Sequence, residues 1–136
     1  MNKISTTWVI DDDEIYRFAI KLIMKRADIT EKTLFFHNGK MAIDFFTVNL
    51  QNPNELPDLI LLDLNMPVLD GWQFLDAYEK LKPQISKNIT IYLVSSTIDE
   101  QDYNRAKSIS CVKELIVKPL TTKDIQRILA AFNPGQ

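Results

Sequence analysis

Cysteine is nearly missing from this 136-residue chain: Cys111 is the only one, so no intrachain disulfide can form, which fits a reducing compartment. Histidine is as scarce, and His37 has no second His or Cys with which to build a zinc site, so it reads as a surface or loop residue. There is no excess charge of one sign. The formal net charge of -2 gives no electrostatic drive toward nucleic acid or an anionic membrane. Trp8 and Trp72 lack the interleaved basic patch of a base-stacking platform and read as packing residues. No apolar run approaches the roughly 18 residues that a membrane helix needs. Met1 to Thr6 lacks a basic stretch followed by an apolar one, so a cytoplasmic protein without a leader is expected.

What is present is an ordinary globular composition, 46% hydrophobic and 25% charged, at the size of one compact domain spanning residues 1–136. Short β-rich runs alternate five times with segments of helical period, which predicts an α/β fold around a parallel sheet. The expected strands are Thr7 to Ile10, Thr33 to His37, Leu59 to Leu62, Ile89 to Val94 and Leu115 to Val117. Leu59 to Leu62 is aliphatic without alternation, as a central strand covered on both faces should be.

Between these strands the periodicity predicts five helices. The first should turn Ile15, Phe18, Ala19, Leu22 and Ile23 to a core, and the second, capped by Asn38, should bury Ala42, Phe45 and Phe46. The third follows the Asp70-Gly71 turn, with Phe74, Leu75, Tyr78 and Leu81 inward, and stops before Pro83. The fourth, Asp99 to Ile109, is more polar, with a thin row of Tyr103, Ala106 and Ile109. The fifth places Ile125, Ile128, Leu129 and Phe132 inward and ends at Asn133-Pro134-Gly135.

Ligands of open parallel sheets bind beyond the carboxyl ends of the strands, and the polar residues of this chain collect there. Asp11, Asp12 and Asp13 follow the first strand, Asp63 the third, Ser95 and Ser96 the fourth, and Lys118 the fifth. Three converging carboxylates repel one another, and a hard cation with oxygen ligands relieves that repulsion. Mg²⁺ suits the set: Asp12, Asp63 and a backbone carbonyl near Asn65 would suffice as ligands, with Asp11 acting at one remove. Asp63 is the candidate nucleophile, since a carboxylate can attack a phosphoryl group to form an acyl phosphate. Lys118 adds a compact positive charge, and the Ser95 hydroxyl can donate to a phosphoryl oxygen. Taken singly, the acids read as helix caps, the serines as an N-cap and the lysine as solvated. Their appearance together, each at a different strand end, is what favours a site.

The motifs Val9-Ile10-Asp11-Asp12-Asp13, Leu61-Leu62-Asp63-Leu64-Asn65-Met66-Pro67 with Asp70-Gly71, Leu93-Val94-Ser95-Ser96 and Val117-Lys118-Pro119 occur in this order along the chain. In this set the chain resembles the receiver domains of two-component response regulators, including stand-alone chemotaxis-type receivers. The resemblance implies a flavodoxin-like, doubly wound five-stranded parallel sheet in the order 2-1-3-4-5, the order known for that family. It implies phosphorylation of Asp63, an acidic pair Asp11 and Asp12, a metal site completed by the Asn65 carbonyl, Ser95 as switch hydroxyl and Lys118 paired with the phosphoryl group. It also implies a cis Lys118-Pro119 bond. The implied donor is a histidine kinase or histidine phosphotransfer protein. Activity would be limited to self-phosphorylation and slow self-dephosphorylation, with no turnover of a metabolite.

Leu115 stands where the family often carries an aromatic, and Cys111-Val112 where it commonly shows Gly-Ala. The fourth helix, fifth strand and last helix, with Tyr103, Lys107 and Leu115, are the expected surface for a downstream protein whose identity the sequence does not give. Two other functions compete with this one. A phosphorylation-independent interaction module is suggested by Leu115. A Mg²⁺-dependent aspartyl phosphatase of the haloacid dehalogenase type is disfavoured, because the residue two after the nucleophile is Asn65 where those enzymes carry an acid.

Overall fold

The computed structural model describes residues 3–66, 68–97 and 99–132; Pro67 and the expected terminal stop at Asn133-Pro134-Gly135 lie outside them. Five strands and five helices alternate: β1 (Ile4–Ile10), α1 (Glu14–Ala27), β2 (Thr30–Phe36), α2 (Gly39–Val48), β3 (Leu59–Asp63), α3 (Gly71–Leu81), β4 (Thr90–Ser95), α4 (Glu100–Lys107), β5 (Val112–Val117) and α5 (Thr122–Phe132). All strand pairs are parallel, in the order β2-β1-β3-β4-β5, the order implied by the resemblance. That order puts β3 between β1 and β4, and every residue of β3 is buried. Its unbroken aliphatic run follows from having a helical layer on each face.

Two apolar clusters fill the space on either side of the sheet. One gathers Trp8, Phe36, Phe46, Ile60, Phe74, Tyr78 and Leu93 beneath α2, α3 and α4. The other joins Ile20, Met24, Leu61, Val94, Ile125 and Ile128 under α1 and α5. Trp8 lies wholly within the first, its ring 4.7 Å from both Phe36 and Phe46 between ring centres. Trp8 is therefore a packing residue, and the exposed His37 is a surface residue, as the sequence suggests.

Several strands reach beyond their apolar runs because pairing, not hydrophobicity, sets their ends. β1 begins at Ile4, which pairs with Thr30 of β2, and the polar start of β2 is tolerated on an edge strand. β2 accordingly stops at Phe36, leaving His37 outside it. β5 begins at Val112 rather than Leu115, with a bulge where Ile91 pairs with Val112 but Tyr92 with Glu114.

The expected inward stripe of α1 is wrong in phase except at Ile23, which packs against the second apolar cluster. Ile15 is 81% exposed, Phe18 63% and Leu22 49%, while the buried residues of the helix are Ile20 and Met24. The helix carries two apolar rows, and its rotation is set at the N-terminus. Asp13 caps it, accepting from the Ile15 and Tyr16 amides at 3.0 and 3.2 Å. From that start Tyr16, Ile20, Ile23, Met24 and Ala27 follow one another down the inner face. The other end closes on Asp28, whose φ of 55° is left-handed and whose amide donates to the Met24 carbonyl. Phe18→Ser should therefore change stability by less than about 0.5 kcal/mol, whereas Met24→Ala should cost about 2–5 kcal/mol. Urea midpoints of the two variants decide this; equal losses would restore the expected stripe.

The fourth helix differs too. Ala106 is its buried residue, and Tyr103, expected inward, is 45% exposed. With little apolar surface to bury, α4 is oriented by its Asp99 cap and by Arg105, which lies 4.3 Å over the Trp72 ring.

Candidate functional site

The residues expected to take part in phosphorylation sit at the carboxyl edge of the sheet. Asp11 and Asp12 follow β1, Asp63 is the last residue of β3, Ser95 the last of β4, and Lys118 comes directly after β5. The strand register brings β1, β3 and β4 to one level: Ile10 pairs with Leu62, and Asp63 with Val94.

The acids and the lysine meet. One carboxylate oxygen from each of Asp11, Asp12 and Asp63 lies within 4.8 Å of the others. Lys118 Nζ is 2.8 Å from Asp11 Oδ2 and 3.5 Å from Asp63 Oδ2. Asp11 and Asp63 are buried, at 2% and 3% exposure, and Asp12 is exposed. Burial pushes the Asp63 carboxyl up to about 7, and Asp11 pushes the same way; Lys118 and the Asn65 amide oppose this, and Asp12 adds a smaller upward push. For Lys118, burial favours the neutral amine, but Asp11 and Asp63 outweigh it and hold its pKa above the usual lysine value. The group therefore carries more negative charge than one ammonium balances, in a setting with only oxygen donors. Hard divalent cations prefer such a setting.

The backbone braces the acids. The Asn65 amide donates to Asp63 Oδ1 at 3.2 Å, and the Asp13 amide to Asp11 Oδ1 at 2.9 Å. Arg17 reaches back six residues, with Nη1 donating to the Asp11 carbonyl at 2.6 Å. Gly71 opens α3 tightly against the end of β3: a Cβ there would stand 2.9 Å from the Asp63 carbonyl oxygen and 2.8 Å from Leu64 Cα. Its small size, not a phosphate cradle, is what the turn needs. Asp70 caps the same helix in a reciprocal box with Gln73.

Ser95 is placed at the site but its hydroxyl is engaged elsewhere. It is fully buried, donates to the Thr97 carbonyl at 2.6 Å and accepts from Asn65 Nδ2 at 3.1 Å. The Lys118-Pro119 bond is cis, as the resemblance implies.

Tyr103, Lys107 and Leu115 also come together. With Ala106, Val112 and Lys113 they line a shallow groove of about 120 Å³ between α4 and β5. Lys107 Nζ lies 4.6 Å over the Tyr103 ring, and Leu115 is 8% exposed, packed into the first apolar cluster. Cys111 is half-buried, with burial pushing its thiol up to about 12, so it is an inert packing residue.

Two residues at the site were not legible as such: Arg17, described above, and Tyr16, whose ring lies 4.2 Å beneath Lys118 Nζ. Both follow the acidic run by less than two turns. Counting the helix phase from an Asp13 cap would have turned them toward the acids.

This geometry has counterparts. The model of the response regulator receiver domain matches residues 7–130. The chain is 24% identical over 119 residues to the probable methanogenesis regulatory protein FilR2 of Methanothrix harundinacea, covering 88% of this chain and 75% of that protein. It is 34% identical over 110 residues to the sensor histidine kinase CheAY of Helicobacter pylori, covering 81% of this chain but only 13% of the kinase. Among solved structures, a two component response regulator from Cytophaga hutchinsonii superposes with a TM-score of 0.87 at 26% identity, over 99% of this chain and 100% of that one. Family match, strand order and the gathering of acids at the carboxyl edge agree: the chain belongs to the response regulator receiver domain family.

Proposed function

We propose that Asp63 accepts a phosphoryl group from the phosphohistidine of a histidine kinase or histidine phosphotransfer protein, in a Mg²⁺-dependent step, and that the chain acts as a cytoplasmic switch or relay. The observation that carries this is the meeting of Asp11, Asp12, Asp63 and Lys118 at one sheet edge. Asp12, Asp63 and the Asn65 carbonyl would hold the ion, with Asp11 behind them. When bound, Mg²⁺ would offset negative charge on the transferred oxygens.

An Asp63 carboxylate oxygen attacks phosphorus, the phosphorus–nitrogen bond of the donor breaks, and the departing imidazole keeps the electron pair and takes a proton from solvent. Lys118 would pair with a phosphoryl oxygen. Ser95 can do so only after its hydroxyl leaves the Thr97 carbonyl. The exposed apolar row Ile15, Phe18 and Leu22 begins beside the acids and suits a protein donor, which needs apolar surface next to the transfer point. The groove of Tyr103, Lys107 and Leu115 is the surface for a separate downstream protein.

The phosphatase alternative loses support at Asn65, whose side-chain amide donates to Ser95 and offers no acid for a leaving group. The test is incubation with Mg²⁺ and acetyl phosphate, followed by intact mass. One added phosphoryl group should appear in the parent and be missing from Asp63→Asn. An unmodified parent, under conditions that label a control receiver, would refute the proposal.

A further inference from the structure

Lys118 has a neighbour for which Mg²⁺ does not compete. Its ammonium touches two carboxylates, Asp11 at 2.8 Å and Asp63 at 3.5 Å, and lies 4.2 Å from the centre of the Tyr16 ring. Both carboxylates belong to the acidic group that would hold the metal. A divalent ion there competes with Lys118 for the same carboxylates, so the ion pairs weaken when the amine is needed for a phosphoryl oxygen. The face of an aromatic ring is uncharged, does not bind Mg²⁺ at the expense of oxygen donors, and attracts an ammonium through its quadrupole.

We propose that Tyr16 is a positioning residue whose ring face holds Lys118 over the phosphorylation site when the metal occupies the carboxylates. This deepens the phosphoacceptor reading and rests on it for its functional consequence. The ring, not the hydroxyl, is the working part. The hydroxyl is buried, and no partner meets hydrogen-bond geometry with it among the described residues. Burial drives its pKa well above the usual tyrosine range. The ring is also fixed in place. Tyr16 follows the Asp13 cap, which accepts from its amide, and packs with Ile23 and Leu120 in the cluster under α1 and α5. Arg17, the next residue, ties the same turn to the Asp11 carbonyl.

Two measurements test this, one of them independent of phosphorylation. In the NMR spectrum the Lys118 Cε protons, adjacent to the nitrogen over the ring, should resonate upfield of ordinary lysine values. They should stay upfield when Mg²⁺ is added and return to ordinary values in Tyr16→Leu. Collapse of the upfield shift on adding Mg²⁺ to the parent would overturn the proposal.

The second measurement is the rate of labelling by acetyl phosphate at saturating Mg²⁺. Tyr16→Leu should be about 2- to 30-fold slower, the range spanned by exposed to desolvated cation–π contacts. Its Mg²⁺ affinity, read by NMR titration, should be unchanged. Tyr16→Phe should keep most of the parental rate, and Tyr16→Leu should slow a Lys118→Ala background no further. Equal losses in the Phe and Leu variants, or a full Tyr16→Leu effect without Lys118, would overturn the proposal. If the parent takes no phosphoryl group, the phosphoacceptor reading fails, and the Lys118 shift alone decides whether the ring holds the amine.

Discussion

Asp63→Asn should be more stable than the parent in metal-free buffer at pH 8, although it removes an ionic contact. In the folded chain burial and Asp11 push the Asp63 carboxyl up to about 7, against about 3.9 for an unfolded aspartate. A raised carboxyl favours folding while it is protonated. That contribution is complete below the unfolded pKa and is lost as the pH rises through the folded one. Above about pH 7 the parent therefore carries a buried charge that the amide lacks, and at about 1.4 kcal/mol per pKa unit the difference amounts to a few kcal/mol. The amide loses little in exchange. Its oxygen can still accept from the Asn65 amide, and Lys118 retains Asp11 at 2.8 Å.

Urea midpoints with a chelator present should place the variant above the parent at pH 8. The gap should close toward pH 4, and adding Mg²⁺ should raise the parent more than the variant. A variant less stable than the parent at pH 8 would contradict this electrostatic picture of the site.

Lys118→Ala should move stability in the opposite direction. Without the ammonium, the buried Asp11 and Asp63 carboxylates face each other with no countercharge in contact, and breaking a buried pair in this way costs about 3–5 kcal/mol. The loss should be largest at pH 8, where Asp63 is ionised, and smaller near pH 5. Adding Asp63→Asn to the same chain should restore part of it, because the second change removes the charge that the first exposed. Denaturation of the four members of this double-mutant cycle, at both pH values, measures that coupling. Additive effects, or a Lys118→Ala loss within about 0.5 kcal/mol, would mean that the amine is largely solvated and the site less confined than its distances imply.

Much of the site was legible because its residues mark the ends of strongly patterned strands. Leu59 to Leu62 announces a central strand, so Asp63 had to emerge at its carboxyl end, and the motif order supplied the remaining partners. The Asn38 cap was legible for the same local reason: its side chain accepts from the Met41 amide within one turn.

What the pattern left open was rotation. In α1, Ile15, Phe18 and Leu22 have the spacing of an inner face as surely as Tyr16, Ile20 and Ile23 do, and hydrophobicity alone cannot choose between two such rows. The Asp13 cap sets the start locally, and the choice was made by packing against α5, a tertiary fact. Tyr103 of α4 illustrates the same limit, since a short polar helix buries too little for its apolar residues to set its phase. The state of Ser95 was equally hidden. Its place at the end of β4 could be read, but its bond to the Thr97 carbonyl could not.

The central claim is that phosphorus becomes bonded to Asp63. Acyl phosphates are reduced by borohydride to the alcohol, so the protein treated with Mg²⁺ and acetyl phosphate, then with borohydride, should carry homoserine at position 63. Peptide mass mapping should find that conversion there and at no other aspartate of the cluster. Conversion at Asp11 or Asp12 instead, or phosphate retained on a serine or on His37 with position 63 unchanged, would contradict it.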